Sequence, residues 1–220
     1  MSTLILISAN SEWRAVRHFL APPVVEASPL GEWFSTPLGV FFHGGWGKIA
    51  AAASTQYGID RFQPQRIVNL GTCGGFAGRI QRGAIILVTR TLAYDILEQM
   101  GDPAAAIAYY TTDLDLSWLP ATPPHPVTRA LLVSGDRDLL PADIQMLEEK
   151  YGAVAADWES AAIAWVAKRS GIRCLILRGV TDLVSSGGGE AYGNIAVFHE
   201  NTKQVMKTLL AQLPDWLGIK

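Results

Sequence analysis

Apolar residues fall along this chain in two patterns. Short, largely apolar runs occur at residues 4–7, 67–70, 84–89, 130–134, 153–156 and 173–180. Such runs, bounded by small or polar residues, suit strands buried on both faces. Spaced apolar positions between them predict helices. Trp13, Val16, Phe19 and Leu20 recur at helical spacing, residues 49–53 are alanine-rich, and helical stretches are expected at 141–151, 158–170 and 194–213. Residues 33–36 and 40–43 flank Pro37-Leu38-Gly39 and predict a hairpin. Residues 98–128, with Met100-Gly-Asp-Pro103 and a proline-rich stretch at 119–126, read as an excursion loop. Strands alternating with helices predict a single domain over residues 1–220. The expected fold class is α/β: three layers, α/β/α, around a central mixed, largely parallel sheet.

Composition narrows the function. With 220 residues, 49% of them hydrophobic, the chain can bury one sizeable core. Charged residues are 17% and the formal net charge is -2, so no basic surface is expected to hold a nucleic acid. Two cysteines and four histidines show no metal-ligand spacing and no disulfide framework, so neither a metal nor a cofactor is expected. The N-terminal apolar run lacks a basic flank and is too short to span a membrane, which points to a cytoplasmic protein without membrane contact.

Three polar or glycine-rich spots follow predicted strands, where ligands of open α/β sheets bind. Gly71-Thr-Cys-Gly-Gly75 suits a turn in which Gly74 and Gly75 let backbone N–H groups approach a ligand, or a tight turn with no ligand. Asp157-Trp-Glu-Ser160 opens a predicted helix. Asp157 suits an N-cap and Glu159 suits the helix dipole, but their apolar setting implies buried carboxylates in need of partners, and a sugar diol is one such partner. Thr181-Asp182 ends a strand, and Asp182 is either a polar loop residue or a carboxyl kept protonated by apolar surroundings. Glu12 follows the first strand, where a carboxylate also suits the helix dipole. Cys73 and Cys174 read as small buried residues. Trp13, Trp46 and Trp158 lie beside these motifs and are either core residues or pocket walls.

Six segments taken in order, Ala9-Asn-Ser-Glu12, Gly45-Trp-Gly-Lys48, Asn69-Leu-Gly-Thr-Cys-Gly-Gly75, Ser134-Gly-Asp136, Asp157-Trp-Glu-Ser-Ala161 and Thr181-Asp182, resemble the nucleoside phosphorylase/nucleosidase superfamily. The resemblance is greatest to its methylthioadenosine/S-adenosylhomocysteine nucleosidase and futalosine hydrolase branch. It implies that Asp182 protonates a purine leaving group, that Glu159 holds the ribose hydroxyls and that an N-terminal glutamate activates water. Gly74, Gly75, Thr181, Trp46 and Trp158 would then line the substrate site, and the protein would form a homodimer in which residues 92–110 contribute to the contact.

The chain departs from the family pattern in three respects. The water-activating glutamate usually lies four residues after the alanine, where Trp13 stands, so Glu12 would have to take its place. The stacking aromatic after Ser-Gly-Asp is replaced by Asp138 or Leu139, and Trp46 and Trp158 replace smaller residues of the 5′ pocket. Asn69 stands where phosphorylases commonly carry a phosphate-binding arginine. That favours hydrolysis, with Arg14, Arg79 and Arg178 as possible substitutes for the missing arginine. A phosphorylase and a nucleoside-binding protein with decayed catalysis are the alternatives.

Overall fold

β1 (Thr3–Ile7) lies between β4 (Gly39–His43) and β5 (Arg66–Phe76), parallel to both. This computed structural model describes residues 2–185 and 187–219. β2 (Glu26–Ser28), β3 (Gly31–Thr36) and β4 form an antiparallel meander at one edge, which contains the expected hairpin. β5 pairs in parallel with β10 (Arg173–Ser185) along an eleven-pair ladder interrupted by a register shift between Val180 and Asp182. β10 then pairs with β6 (Ile85–Ala93), β6 with β8 (Thr128–Ser134), β8 with β9 (Ala155–Asp157), and β9 back with β5. The mixed sheet therefore closes locally into a ring of five strands. The two-residue strands β7 (Thr112–Asp113) and β11 (Gly188–Gly189) extend β6 and β10.

Helices cover both faces because the buried strands alternate their side chains between them. Ile5, Ile7, Leu175 and Leu177 point into a core shared with α1 (Asn10–Leu20) and α6 (Ile195–Leu217). Leu4, Leu6, Cys174 and Ile176 point into a second core with α2 (Lys48–Phe62) and α5 (Ser160–Arg169). α4 (Pro141–Tyr151) supplies Leu147 to a third, smaller core.

Several elements differ from the sequence expectation. Gly71 to Gly75 do not form a turn, and Thr181 and Asp182 do not lie in a loop. Both segments continue β5 and β10, because their mutual ladder runs on past the apolar runs. The excursion at 98–128 contains α3 (Pro103–Tyr109), capped by Asp102, whose carboxylate accepts from the Ala104 N–H at 2.8 Å. No residue of α3 is buried, so the helix has no apolar stripe to read. α6 runs past Pro214, because Trp216 and Leu217 are still core residues.

Candidate active site

The fully buried Arg178 of β10 organises the acidic residues. Its Nε lies 2.9 Å from Asp157 Oδ2 and donates to Ser160 Oγ at 3.0 Å. Nη2 donates to Asn69 Oδ1 at 2.8 Å and lies 3.7 Å from Glu159 Oε2. Nη1 lies 3.8 Å from Glu12 Oε1 and has no hydrogen-bond partner. Burial alone would lower the Arg178 pKa, but Asp157, Glu12 and Glu159 outweigh it and raise the pKa. This residue is the one charge within the apolar stretch 174–180 of its strand. A lone charge in such a run must find buried partners, and that is the signal by which the sequence marks it as more than a substitute phosphate ligand.

Three carboxylates converge on it. Glu12, in the first turn of α1, has one oxygen held by the Ala9 N–H at 3.0 Å; the other accepts from the Thr72 N–H at 2.6 Å and the Thr72 hydroxyl at 2.8 Å. Trp13 points elsewhere. It is buried in the core, stacks on His43 and donates its indole N–H to Glu32 at 2.8 Å. The helix register therefore places Glu12, not residue 13, beside Arg178. Asp157 ends β9 and accepts from the Ser134 hydroxyl at 2.5 Å, from the Ser160 hydroxyl and from the Glu159 and Ser160 N–H groups. It caps α5 from outside, while the N-cap position belongs to Glu159, which makes no side-chain cap. Glu159 Oε1 accepts from the Gly47 N–H at 3.0 Å, and burial pushes its carboxyl up to about 8 against the pull of Arg178.

Glycines make room for this cluster. A Cβ at Gly71 would lie 1.8 Å from Arg178 Nη1 and 2.8 Å from Glu12 Oε1. Gly75 is a packing glycine, since its Cβ would press on Ile80 and Val180, whereas Gly74 has room for a Cβ and is partly exposed.

Asp182 sits beyond the register shift of β10. Burial raises its pKa above the ordinary carboxylate value, opposed by the Thr181 hydroxyl, which lies within 2.8 Å of Asp182 Oδ1 and 3.3 Å of the Cys73 carbonyl. Cys73 is buried, and that burial pushes its thiol pKa up, which disfavours the thiolate a nucleophile requires. At the rim, Trp46 is 63% exposed and stacks on the partly buried Trp158 with ring centroids 5.5 Å apart, so Trp46 does not turn into the core. The other arginines named from the sequence lie apart: Arg79 pairs with Glu148, and Arg14 reaches His199.

Fold and site together define a single-domain α/β protein with a carboxylate cluster at the carboxyl ends of its strands. A model of the Phosphorylase superfamily matches residues 30–213, and the chain belongs to that family. A 5′-methylthioadenosine/S-adenosylhomocysteine nucleosidase of Halalkalibacterium halodurans is 27% identical over 190 residues, covering 81% of each chain. One from Buchnera aphidicola subsp. Schizaphis graminum is 26% identical over 181 residues, 77% of each. Among solved structures, a Helicobacter pylori nucleosidase of the same name superposes with TM-score 0.80 at 16% identity, covering 98% of this chain and 99% of the other. The futalosine hydrolase of that organism gives 0.79 at 16% identity, over 98% and 97%. These structures share the α/β fold with its central mixed sheet. No helix among the described residues is long and apolar enough to cross a membrane.

Proposed function

We propose that this protein is a purine nucleosidase that hydrolyses the N-glycosidic bond of a 5′-modified nucleoside of the methylthioadenosine, adenosylhomocysteine or futalosine type. The observation that carries this reading is the division of labour among carboxyl groups. Glu12, Asp157 and Glu159 surround one buried arginine, while Asp182 stands apart with a raised pKa. As the C1′–N bond breaks, its electron pair passes to the base. Protonated Asp182 supplies a proton to a ring nitrogen, so that the base leaves neutral. The carboxylates stabilise the positive charge developing on the sugar. Water adds to C1′ and yields its proton to Glu12, which Thr72 holds in place beside Arg178 Nη1. Glu159 accepts from the ribose hydroxyls.

Charge favours water over phosphate. Arg178 faces three carboxylates; even with Glu159 protonated, Glu12 and Asp157 outnumber it. The Gly47 and Lys48 N–H groups at the start of α2, which could hold an anion, already donate to Glu159 and Asp136. A phosphate dianion would meet net negative charge here. Incubation with purine nucleosides, with and without phosphate, tests the reading. Free base and free sugar are expected in both. Release that depends on phosphate, yielding a sugar phosphate, would make the protein a phosphorylase, and no release at all would make it a binding protein.

The stacked Trp46–Trp158 pair supports selection at the 5′ end. Two indoles should crowd a long homocysteinyl tail and offer a flat face to an aromatic 5′ group, a contact worth about 0.5–1.5 kcal/mol beyond burial. S-adenosylhomocysteine is expected to be a poorer substrate by kcat/KM than 5′-deoxyadenosine or futalosine. Efficient cleavage of S-adenosylhomocysteine, unaffected by Trp158→Met, would refute this.

A homodimer in a cytoplasmic setting completes the proposal. Leu92 and Tyr94 are core residues, so the contact would use the exposed part of the segment, where Leu97 is 80% and Met100 is 99% exposed. Light scattering should give twice the 23.8 kDa chain mass; a monomer at micromolar concentration would contradict it.

A further inference from the structure

Ser134-Gly-Asp136 follows β8, and its first two residues have evident tasks. Ser134 bonds Asp157, and Gly135 lies against the Tyr94 ring, which a Cβ would meet at 2.6 Å. Asp136 contacts none of the carboxylates around Arg178, yet it is tied into a bracket. Its Oδ1 accepts from the Lys48 N–H at 2.7 Å, and its own N–H donates to Asp95 Oδ2 at 2.8 Å. The Lys48 ammonium pairs with Asp95 and lies 3.8 Å from Asp136 Oδ2. Three segments of the rim, around residues 47, 95 and 136, are thereby fastened together. The fastened loop holds Gly47 in the left-handed region at φ 85°, where a Cβ would lie 3.1 Å from Asp136 Oδ1. In that conformation the Gly47 N–H, one residue before the Lys48 N–H that Asp136 holds, donates to Glu159 Oε1.

We propose that Asp136 is a positioning residue for sugar recognition: by fixing the Gly47–Lys48 backbone it aims the Gly47 N–H at one oxygen of Glu159 and leaves the second oxygen to the sugar hydroxyls. The inference rests on the sugar-binding role given to Glu159 above. Without that donor, Glu159 keeps only Arg178, at 3.7 Å, and its carboxyl plane is free to rotate. Asp136 therefore acts on the enzyme's preference for ribosyl over 2′-deoxyribosyl substrates, and only through Glu159.

The test compares wild type, Asp136→Ala and Asp136→Asn on a ribonucleoside and its 2′-deoxy analogue, reading kcat, KM and thermal midpoint. Loss of a hydrogen bond to a charged group is worth about 10- to 100-fold. Asp136→Ala is expected to lower kcat/KM for the ribonucleoside by about tenfold. It should change the deoxy analogue far less, so that the preference shrinks. Asp136→Asn keeps an oxygen for the Lys48 N–H and should restore most of the preference. A merely structural role would lower both substrates alike along with the thermal midpoint, and that result overturns the inference. So does an unchanged preference in Asp136→Ala. If wild type cleaves both sugars equally, the role of Glu159 falls first and the inference with it. If wild type prefers the ribonucleoside and Asp136→Ala keeps that preference, only the inference falls.

Discussion

Asp182→Asn is expected to lower kcat by about 10²–10⁴-fold, the usual cost of removing a general acid. The amide keeps the shape of the side chain and an oxygen for the Thr181 hydroxyl, which lies 2.8 Å from Asp182 Oδ1. What it loses is the proton. Burial raises the Asp182 pKa, so the wild-type kcat/KM should fall on the alkaline side as this carboxyl ionises, and the variant should lack that limb. The stability effect has the opposite sign. A carboxyl whose folded pKa lies above its unfolded value holds more protons folded than unfolded. Its contribution is fully present below the unfolded pKa and is lost as pH rises through the folded one. A neutral amide escapes that loss, so the thermal midpoint of Asp182→Asn should equal or exceed wild type in mildly alkaline buffer. A variant with wild-type turnover would remove Asp182 from the mechanism.

Arg178→Met should be the most damaging single change to stability, at about 3–5 kcal/mol, because it strips the cation from a buried cluster and leaves the acids behind. Methionine nearly fills the space, so the loss is electrostatic rather than a cavity. Glu12, Asp157 and Glu159 lose their shared cation, and Asn69 and Ser160 each lose a donor. Unpaired buried carboxylates take up protons, so the deficit should be smaller at pH 5 than at pH 8. Urea midpoints at the two pH values would check both size and sign. A deficit under about 1 kcal/mol at pH 8, the size of an ordinary surface change, would mean that the cluster does not depend on its arginine. Arg178→Lys should recover part of the loss, since an ammonium supplies charge without the planar fork that reaches several partners at once.

The layered fold was legible because the strands are buried on both faces and so read as short, largely apolar runs. Strand ends were less so. Nothing local in Gly71-Thr-Cys-Gly-Gly75 tells a turn from a glycine-rich strand; pairing with β10, about a hundred residues away in sequence, decides it. The same pairing carries Thr181 and Asp182 into a strand. Ring closure is a long-range property of the same kind. Within the site, Asp157 and Glu159 stood out as carboxylates in an apolar setting, and Glu12 by its place after the first strand and the family resemblance. Arg178 did not stand out as their common partner, because the link spans β10, β9 and α1. The choice between position 12 and position 13 needed the helix register: Glu12 reaches back to accept from the Ala9 N–H, while residue 13 points toward β3 and β4.

Closure of the sheet limits how a product can leave. Asn69, Thr72, Ser134, Asp157, Arg178 and Asp182 all sit on strands of the ring, which has no free edge there along which one half could swing from the other. Hinge bending between two lobes, common where a ligand lies in a cleft between domains, has no seam to follow in this molecule. Passage of base and sugar must be governed instead by the segments at the rim: the loop at 44–47, the segment around Asp95 and the stretch that carries Tyr192, whose hydroxyl is latched to the Leu139 carbonyl at 2.6 Å. Turnover and chemistry can then be tuned separately, the one in the rim and the other in the ring.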